Sequence, residues 1–148
     1  MRIHRENSQA LIIDIQEKLF PHIHDYQIIE RNTGILINGL KILEIPLLIS
    51  EQYRKGLGPT VPSIRKNMGE IYKPMEKTAF SCCDDTSINK SIIDNKKNII
   101  IAGIETHVCV LQTCIDLIHD GYQPVIVSDC VSSRKLNDKK IAMERMQT

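Results

Sequence analysis

The chain reads as an α/β protein built on a parallel sheet, and three observations predict it. Short blocks of branched aliphatic residues recur at 8–15, 45–50, 98–102 and 124–128, with the length and composition of strands buried on both faces. Segments whose apolar residues keep helical spacing lie between them, so strand and helix alternate as βαβ units with right-handed crossovers do. Glycines and prolines stand where the period changes, as turn residues should.

The first block, SQALIIDI over 8–15, is a strand with Asp14 at its carboxyl end, and Gln16-Glu17-Lys18 begins a polar loop or short helix. Apolar residues at 28, 29, 35, 36, 40 and 43 predict a helix over 28–43, despite Gly34 and Gly39. Residues 45–50, IPLLIS, form a second strand, with Pro46 tolerated at its start. From 51 to 75 the chain holds Gly56, Gly58, Pro59, Pro62, Gly69 and Pro74 and reads as a long loop with one helical turn near Ile64. Loops of that length are usually functional or mobile.

Residues 77–80 form a short strand, and Ser87 is placed to cap a short helix over 88–93. The strand at 98–102 ends at Gly103, and Thr106 is placed to cap a helix over 106–119 that stops near Gly121. A strand at 124–128 leads into Asp129, and a last helix begins at Ile141. In parallel sheets the active site lies at the carboxyl ends of the strands. Asp14, the loop from Glu51, the Lys77 region, Cys109 and Asp129 are therefore expected along one sheet edge.

Composition narrows the function. The 148 residues suffice for one domain with a substantial core, 42% being hydrophobic and 25% charged. Tryptophan is absent and aromatics are 4%, so little is available for stacking on bases. A net charge of +1 supplies no electrostatic footprint for nucleic acid or an anionic membrane. No apolar run approaches the roughly 20 residues of a membrane helix, and the N-terminal MRIHRENSQA has no apolar core of a secretory signal. Five cysteines, an odd number, do not read as a disulfide framework, which points to a reducing, cytoplasmic setting. Neither Cys82-Cys83 nor Cys109 with Cys114 has CxxC spacing, and His22-x-His24 has no acidic or cysteine partner at ligand spacing, so no metal is expected.

The chemistry-bearing stretch is GIETHVCVLQTC, 103–114. Cys109 sits there in the first turn of a helix, where free backbone N–H groups and the helix dipole favour a thiolate. A thiol nucleophile needs a proton acceptor, and its developing oxyanion needs donors. Asp14 is the acceptor candidate, Lys77 the cation that would hold both groups ionised. Each has a plain alternative: a turn aspartate, a surface lysine, a small buried apolar cysteine. His107 is displaced by two positions and points to another helix face; Cys114 and Cys130 read as core.

Asp14, Lys77 and Cys109, in that order and each after a strand, resemble the Asp-Lys-Cys triad of the isochorismatase-like cysteine hydrolases. SEQYRKGLGPTVPSI (50–64), KTAFSC (77–82), GIETHVCVLQTCIDLIHDGY (103–122) and VIVSDCVSSR (125–134) resemble the isochorismatase-domain-containing subfamily, from about Gln9 to the last residue. The resemblance implies a doubly wound parallel sheet flanked by helices, a Rossmann-like three-layer fold, as a single hydrolase domain over 1–148. It implies that Cys109 attacks a carbonyl-type carbon to give a thioester-like intermediate, that Asp14 takes the thiol proton and later activates water, and that Lys77 orients Asp14. It also implies a cis peptide joining Ile104 to Glu105, turning the N–H of Glu105, with that of Cys109, toward the oxyanion.

Nicotinamidases of this superfamily carry Asp-x-His after the second strand, where this chain reads Glu51-Gln52-Tyr53. The departure argues for a metal-independent enzyme without a cofactor. Isochorismatases proper lack the cysteine, which points toward acyl or C–N chemistry on a small molecule, with Gln52, Tyr53 and Phe80 as pocket walls. Family members continue past the last Arg-Met into another strand and helix. The domain is thus expected to be short at its C-terminus, with 124–128 an exposed edge that favours pairing with another copy. Family members commonly form homo-oligomers, and one is expected here. The alternative is a catalytically silent scaffold that keeps the fold and binds a protein.

Overall fold

Five parallel strands form one sheet in the order β3-β2-β1-β4-β5, in a computed structural model that describes residues 2–147. Met1 and Thr148, the ends of the expected 1–148 domain, lie outside the described residues. In chain order the elements are β1 (Ser8–Ile13), α1 (Tyr26–Ile42), β2 (Leu47–Gln52), α2 (Arg54–Leu57), α3 (Pro62–Met68), β3 (Met75–Lys77), α4 (Thr86–Ser91), β4 (Asn98–Ile104), α5 (Leu111–His119), β5 (Gln123–Ser132) and α6 (Leu136–Met146). A π-helical turn, Thr106–Val110, joins β4 to α5.

β1 and β4 are buried along their whole length, because helices cover both faces of the sheet. Side chains alternate between the layers. Ile12, Ile49 and Ala102 pack with Ile29 and Ile37 of α1 and with Ile64 of α3. Leu11, Ile13, Ile99 and Ile101 pack with Ile88 of α4 and with Cys114 and Leu117 of α5. Each fully buried aliphatic side chain contributes about 1.5–3 kcal/mol. The doubly wound, three-layer expectation is met.

The chain runs outward from β1 through β2 to β3, then crosses back to place β4 on the other side of β1. The reversal opens a crevice beyond the carboxyl ends of β1 and β4, the usual ligand position in such sheets. Gly103 lets β4 fit there. It pairs with Ile13, its φ is +129°, and a Cβ would lie 2.1 Å from the Ile13 carbonyl oxygen, so no other residue fits without displacing β1.

Several boundaries differ from the sequence expectation. The 51–75 stretch carries the helix expected near Ile64, as α3 with Pro62 in its first turn, and a second short helix, α2, where loop was expected. Its prolines and glycines punctuate short helices. The buried stripe of α1 is Ile29, Thr33, Gly34, Ile37 and Leu40, whereas Ile28 and Ile35 are exposed. Hydrophobicity found Ile29 and Leu40 but missed the rest of this face, because small residues form the contact with α3: a Cβ on Gly34 would lie 2.9 Å from Asn67 Nδ2.

Asp85, not Ser87, caps α4, accepting from the N–H groups of Ser87 and Ile88. Thr106 caps nothing: its hydroxyl is buried without a hydrogen-bond partner. α6 starts at Leu136 rather than Ile141, its polar first turns having hidden it. Gly121, with φ +84°, ends α5 as expected, the N–H groups of Gly121 and Tyr122 returning to the carbonyls of Ile118 and Leu117.

β5 extends to Ser132 and forms the sheet edge. Ile101 pairs with Ile126 but Gly103 with Val131, so residues 127–130 bulge from the ladder. Asp129 therefore lies exposed inside the bulge, its carbonyl accepting from Asn32 of α1. It does not line the catalytic edge as expected.

Candidate active site

Asp14 leaves β1 with φ +54°, and this left-handed turn directs its carboxylate into the crevice at 1% exposure. Ser50 of β2 donates to Asp14 Oδ1 at 2.7 Å. Lys77, the last residue of β3, donates to Oδ2 at 2.8 Å. The Lys77 ammonium also bonds Gln52 Oε1 at 2.7 Å and the carbonyls of Ala79 and Phe80, each at 3.0 Å. A buried ammonium is tolerable only when paired and hydrogen-bonded in this way. Burial alone would lower the Lys77 pKa, but the Asp14 carboxylate, with the thiols of Cys109 and Cys82, outweighs it and leaves the ammonium raised above its ordinary value.

Cys109 lies in the π-helical turn after β4, at 7% exposure; such turns often occur at functional sites. Its thiol is pushed up to about 12, first by burial and then by the Asp14 carboxylate, while Lys77 opposes this. A dipole-stabilised thiolate was expected. The reverse holds, because desolvation and a neighbouring anion both disfavour the thiolate more than one helix end favours it. The resting group is a neutral thiol beside a carboxylate acceptor. The peptide joining Ile104 to Glu105 is cis.

Asp14, Gln52, Phe80, Ile104, Glu105 and Cys109 line one cavity of about 260 Å³, below the ~300–1,000 Å³ of drug-sized ligand sites. Leu19, Leu57, Val108 and Arg134 complete its wall. Tyr53 does not line it: its backbone is left-handed, with φ +38°, and its ring lies over Gly56. Gln52 is fixed in the wall, donating to the Thr78 carbonyl while accepting from Lys77. His107 bonds Ser133 Oγ at 2.8 Å through Nδ1 and is not part of this wall.

The residues where relatives carry a metal motif are otherwise engaged. Glu51 is buried, accepting from the Thr60 N–H and the Tyr72 hydroxyl, each at 3.0 Å. Among the described residues no three His, Cys, Asp or Glu side chains come together as a metal set, so the donor set a cation needs is not assembled there. All five cysteines are free.

Sequence reasoning missed Ser50 and Arg134. Ser50 sat inside a strand block, and Arg134 closed the VSSR segment beyond a strand whose length the bulge concealed. Leu19, Leu57 and Val108 carried no signal beyond being apolar.

Comparisons with known proteins agree with this fold. The family model for the Isochorismatase domain matches residues 8–148. Isochorismatase family protein 1B of Dictyostelium discoideum is 40% identical over 146 residues, 96% of this chain and 71% of the relative. The structure of MAR1 ribonuclease from Caenorhabditis elegans superposes with a TM-score of 0.92 at 38% identity, covering 99% of this chain and 76% of that one. The YcaC gene product of Escherichia coli, described as an octameric hydrolase of unknown specificity, shares the fold with a TM-score of 0.90 at 22% identity, over 99% of this chain and 74% of that one.

Proposed function

The chain belongs to the isochorismatase family, and from that premise we propose that it is a cysteine hydrolase acting on a small amide or related C–N or acyl compound. The observation that carries the reading is the buried Lys77–Asp14 pair, 2.8 Å apart, whose carboxylate lines the same cavity as Cys109.

The Cys109 thiol gives its proton to Asp14 as sulfur attacks the carbonyl carbon. Proton transfer within the attacking step suits a thiol whose pKa lies far above neutrality. The N–H groups of Glu105 and Cys109 receive the oxyanion. Asp14 then returns its proton to the leaving amine as the C–N bond breaks, leaving a thioester-like intermediate. A water molecule, deprotonated by Asp14, attacks that intermediate, releasing the acid and restoring the thiol. Lys77 holds the Asp14 carboxyl group in position throughout. No step needs a metal or cofactor.

Turnover of a panel of small amides and acyl esters by the wild type, Cys109→Ala and Asp14→Ala tests the reading. Both variants are expected to be inactive; turnover that survives Cys109→Ala overturns it. The name of the worm neighbour adds RNA to the panel. If nothing is hydrolysed, the scaffold alternative stands.

A homo-oligomer is part of the proposal. Ile28, Ile35 and Ile42 recur every seven residues on α1 and are 56%, 60% and 81% exposed, an apolar stripe suited to a second copy. Light scattering is expected to give a multiple of the chain mass. No helix among the described residues is long and apolar enough to cross a membrane; a cytoplasmic location remains part of the reading.

A further inference from the structure

We propose that the cavity selects substrates carrying a carboxylate beside the carbonyl under attack, and that Arg134 receives that group. The inference rests on the reading of Cys109 as nucleophile.

Among the described residues Arg134 alone brings a cationic side chain to the cavity wall. Lys77 approaches the same region but is consumed by four acceptors. Arg134 is held from one side. Glu105, 5% exposed, accepts from Arg134 Nε at 2.6 Å, a short charge-assisted bond of the kind that fixes a guanidinium plane. Among the described residues the terminal Nη groups make no hydrogen bond, and the side chain is 61% exposed. The guanidinium therefore keeps its end-on pair of donors, the geometry that receives a carboxylate bidentately.

The rest of the wall discriminates by contrast. Leu19, Leu57, Phe80, Ile104 and Val108 are apolar, Asp14 and Glu105 are acidic, and the Gln52 amide is tied to the Thr78 carbonyl and Lys77, so Arg134 is the wall side chain suited to an anionic end. With Cys109 on the same wall of a cavity of about 260 Å³, the fitting substrate class is a short-chain amido acid rather than a long or neutral amide. Glu105 thus acts twice, its N–H toward the oxyanion and its carboxylate as the brace of Arg134. In the second role it is a positioning residue.

The test uses two pairs of probes that differ in charge but hardly in size. Iodoacetate and iodoacetamide each alkylate Cys109 by displacement of iodide, and mass spectrometry of the Cys109 peptide gives both rates, with glutathione as reference thiol. Malonamate and malonamide serve as substrates. Relative to glutathione, Cys109 is expected to favour iodoacetate. The iodoacetate-to-iodoacetamide ratio should fall about tenfold or more in Arg134→Gln, the size of one charge-assisted hydrogen-bond pair. Arg134→Lys should restore part of it, and thermal unfolding of each variant reports that it is folded. Malonamate should be preferred to malonamide through KM.

An alkylation ratio that does not depend on Arg134 overturns the proposal, and if amides are still hydrolysed the hydrolase reading stands without it. If the ratio depends on Arg134 but no amide is hydrolysed, the anion site stands and the hydrolase reading falls.

Discussion

Replacing Asp14 with Asn should drive turnover and thiol reactivity in opposite directions. The Cys109 thiol is pushed up to about 12, so at pH 7 the thiolate that direct alkylation needs is scarce. After burial, the Asp14 carboxylate is the next cause of that shift, and Lys77 acts against it. Asp14→Asn removes the anion and leaves the ammonium, so the Cys109 pKa should fall, although burial keeps it above that of a free thiol. Alkylation of Cys109 by iodoacetamide near pH 8 should therefore accelerate, by about tenfold for each unit of fall. Turnover should drop by about 10²–10⁴, the usual contribution of a positioned general base. The assay follows the Cys109 peptide by mass spectrometry from pH 6 to 11 beside steady-state hydrolysis. Alkylation and turnover that fall together in Asp14→Asn would refute the reasoning, as would full thiolate reactivity of the wild type near pH 6.

Three further outcomes are expected. Lys77→Met leaves the Asp14 carboxylate buried beside Ser50 alone; urea unfolding should show a loss of about 3–5 kcal/mol, and a loss below 1 kcal/mol would contradict the pairing. Gly103→Ala sets a Cβ against the Ile13 carbonyl at a φ of +129° and should cost about 3 kcal/mol or more, read in the same way. Stability should fall as pH rises above 9: all five thiols are pushed up, Cys82 and Cys130 to about 11 and Cys83, Cys109 and Cys114 to about 12, each first by burial, and Lys77 is raised as well. The unfolded chain then releases protons that the folded chain holds. The urea midpoint should be level at pH 7–8 and decline from pH 9 to 11, less steeply in Cys109→Ala.

The main strands were legible because β1 and β4 are buried on both faces, which requires near-continuous aliphatic runs. Asp14 and Cys109 were legible because each follows such a run, and a parallel sheet gathers the carboxyl ends; Lys77, at the end of the short strand Met75–Lys77, stood out only through the family resemblance. What escaped depended on three-dimensional neighbours. Nothing local marks Ser50 as the partner of Asp14, or Arg134 as the cavity's cation, since both contacts cross between strands. The bulge at 127–130 hid the true end of β5, and with it the fact that Asp129 faces solvent while Arg134 faces the cavity. Tyr53 looked like a wall residue until its left-handed backbone carried the ring over Gly56. The sign of the Cys109 shift was misjudged for a related reason: a helix end is visible in a sequence, while burial and an anion brought in from β1 are not.

The central claim is that Cys109 becomes covalently acylated. Acid quenching of the wild-type enzyme during turnover of an amide, followed by mass spectrometry of its peptides, tests it most directly. The Cys109 peptide should gain the mass of the acyl group, with Cys82, Cys83, Cys114 and Cys130 unmodified. An acyl group found on another cysteine, or steady hydrolysis that persists after Cys109 is removed, would contradict the account.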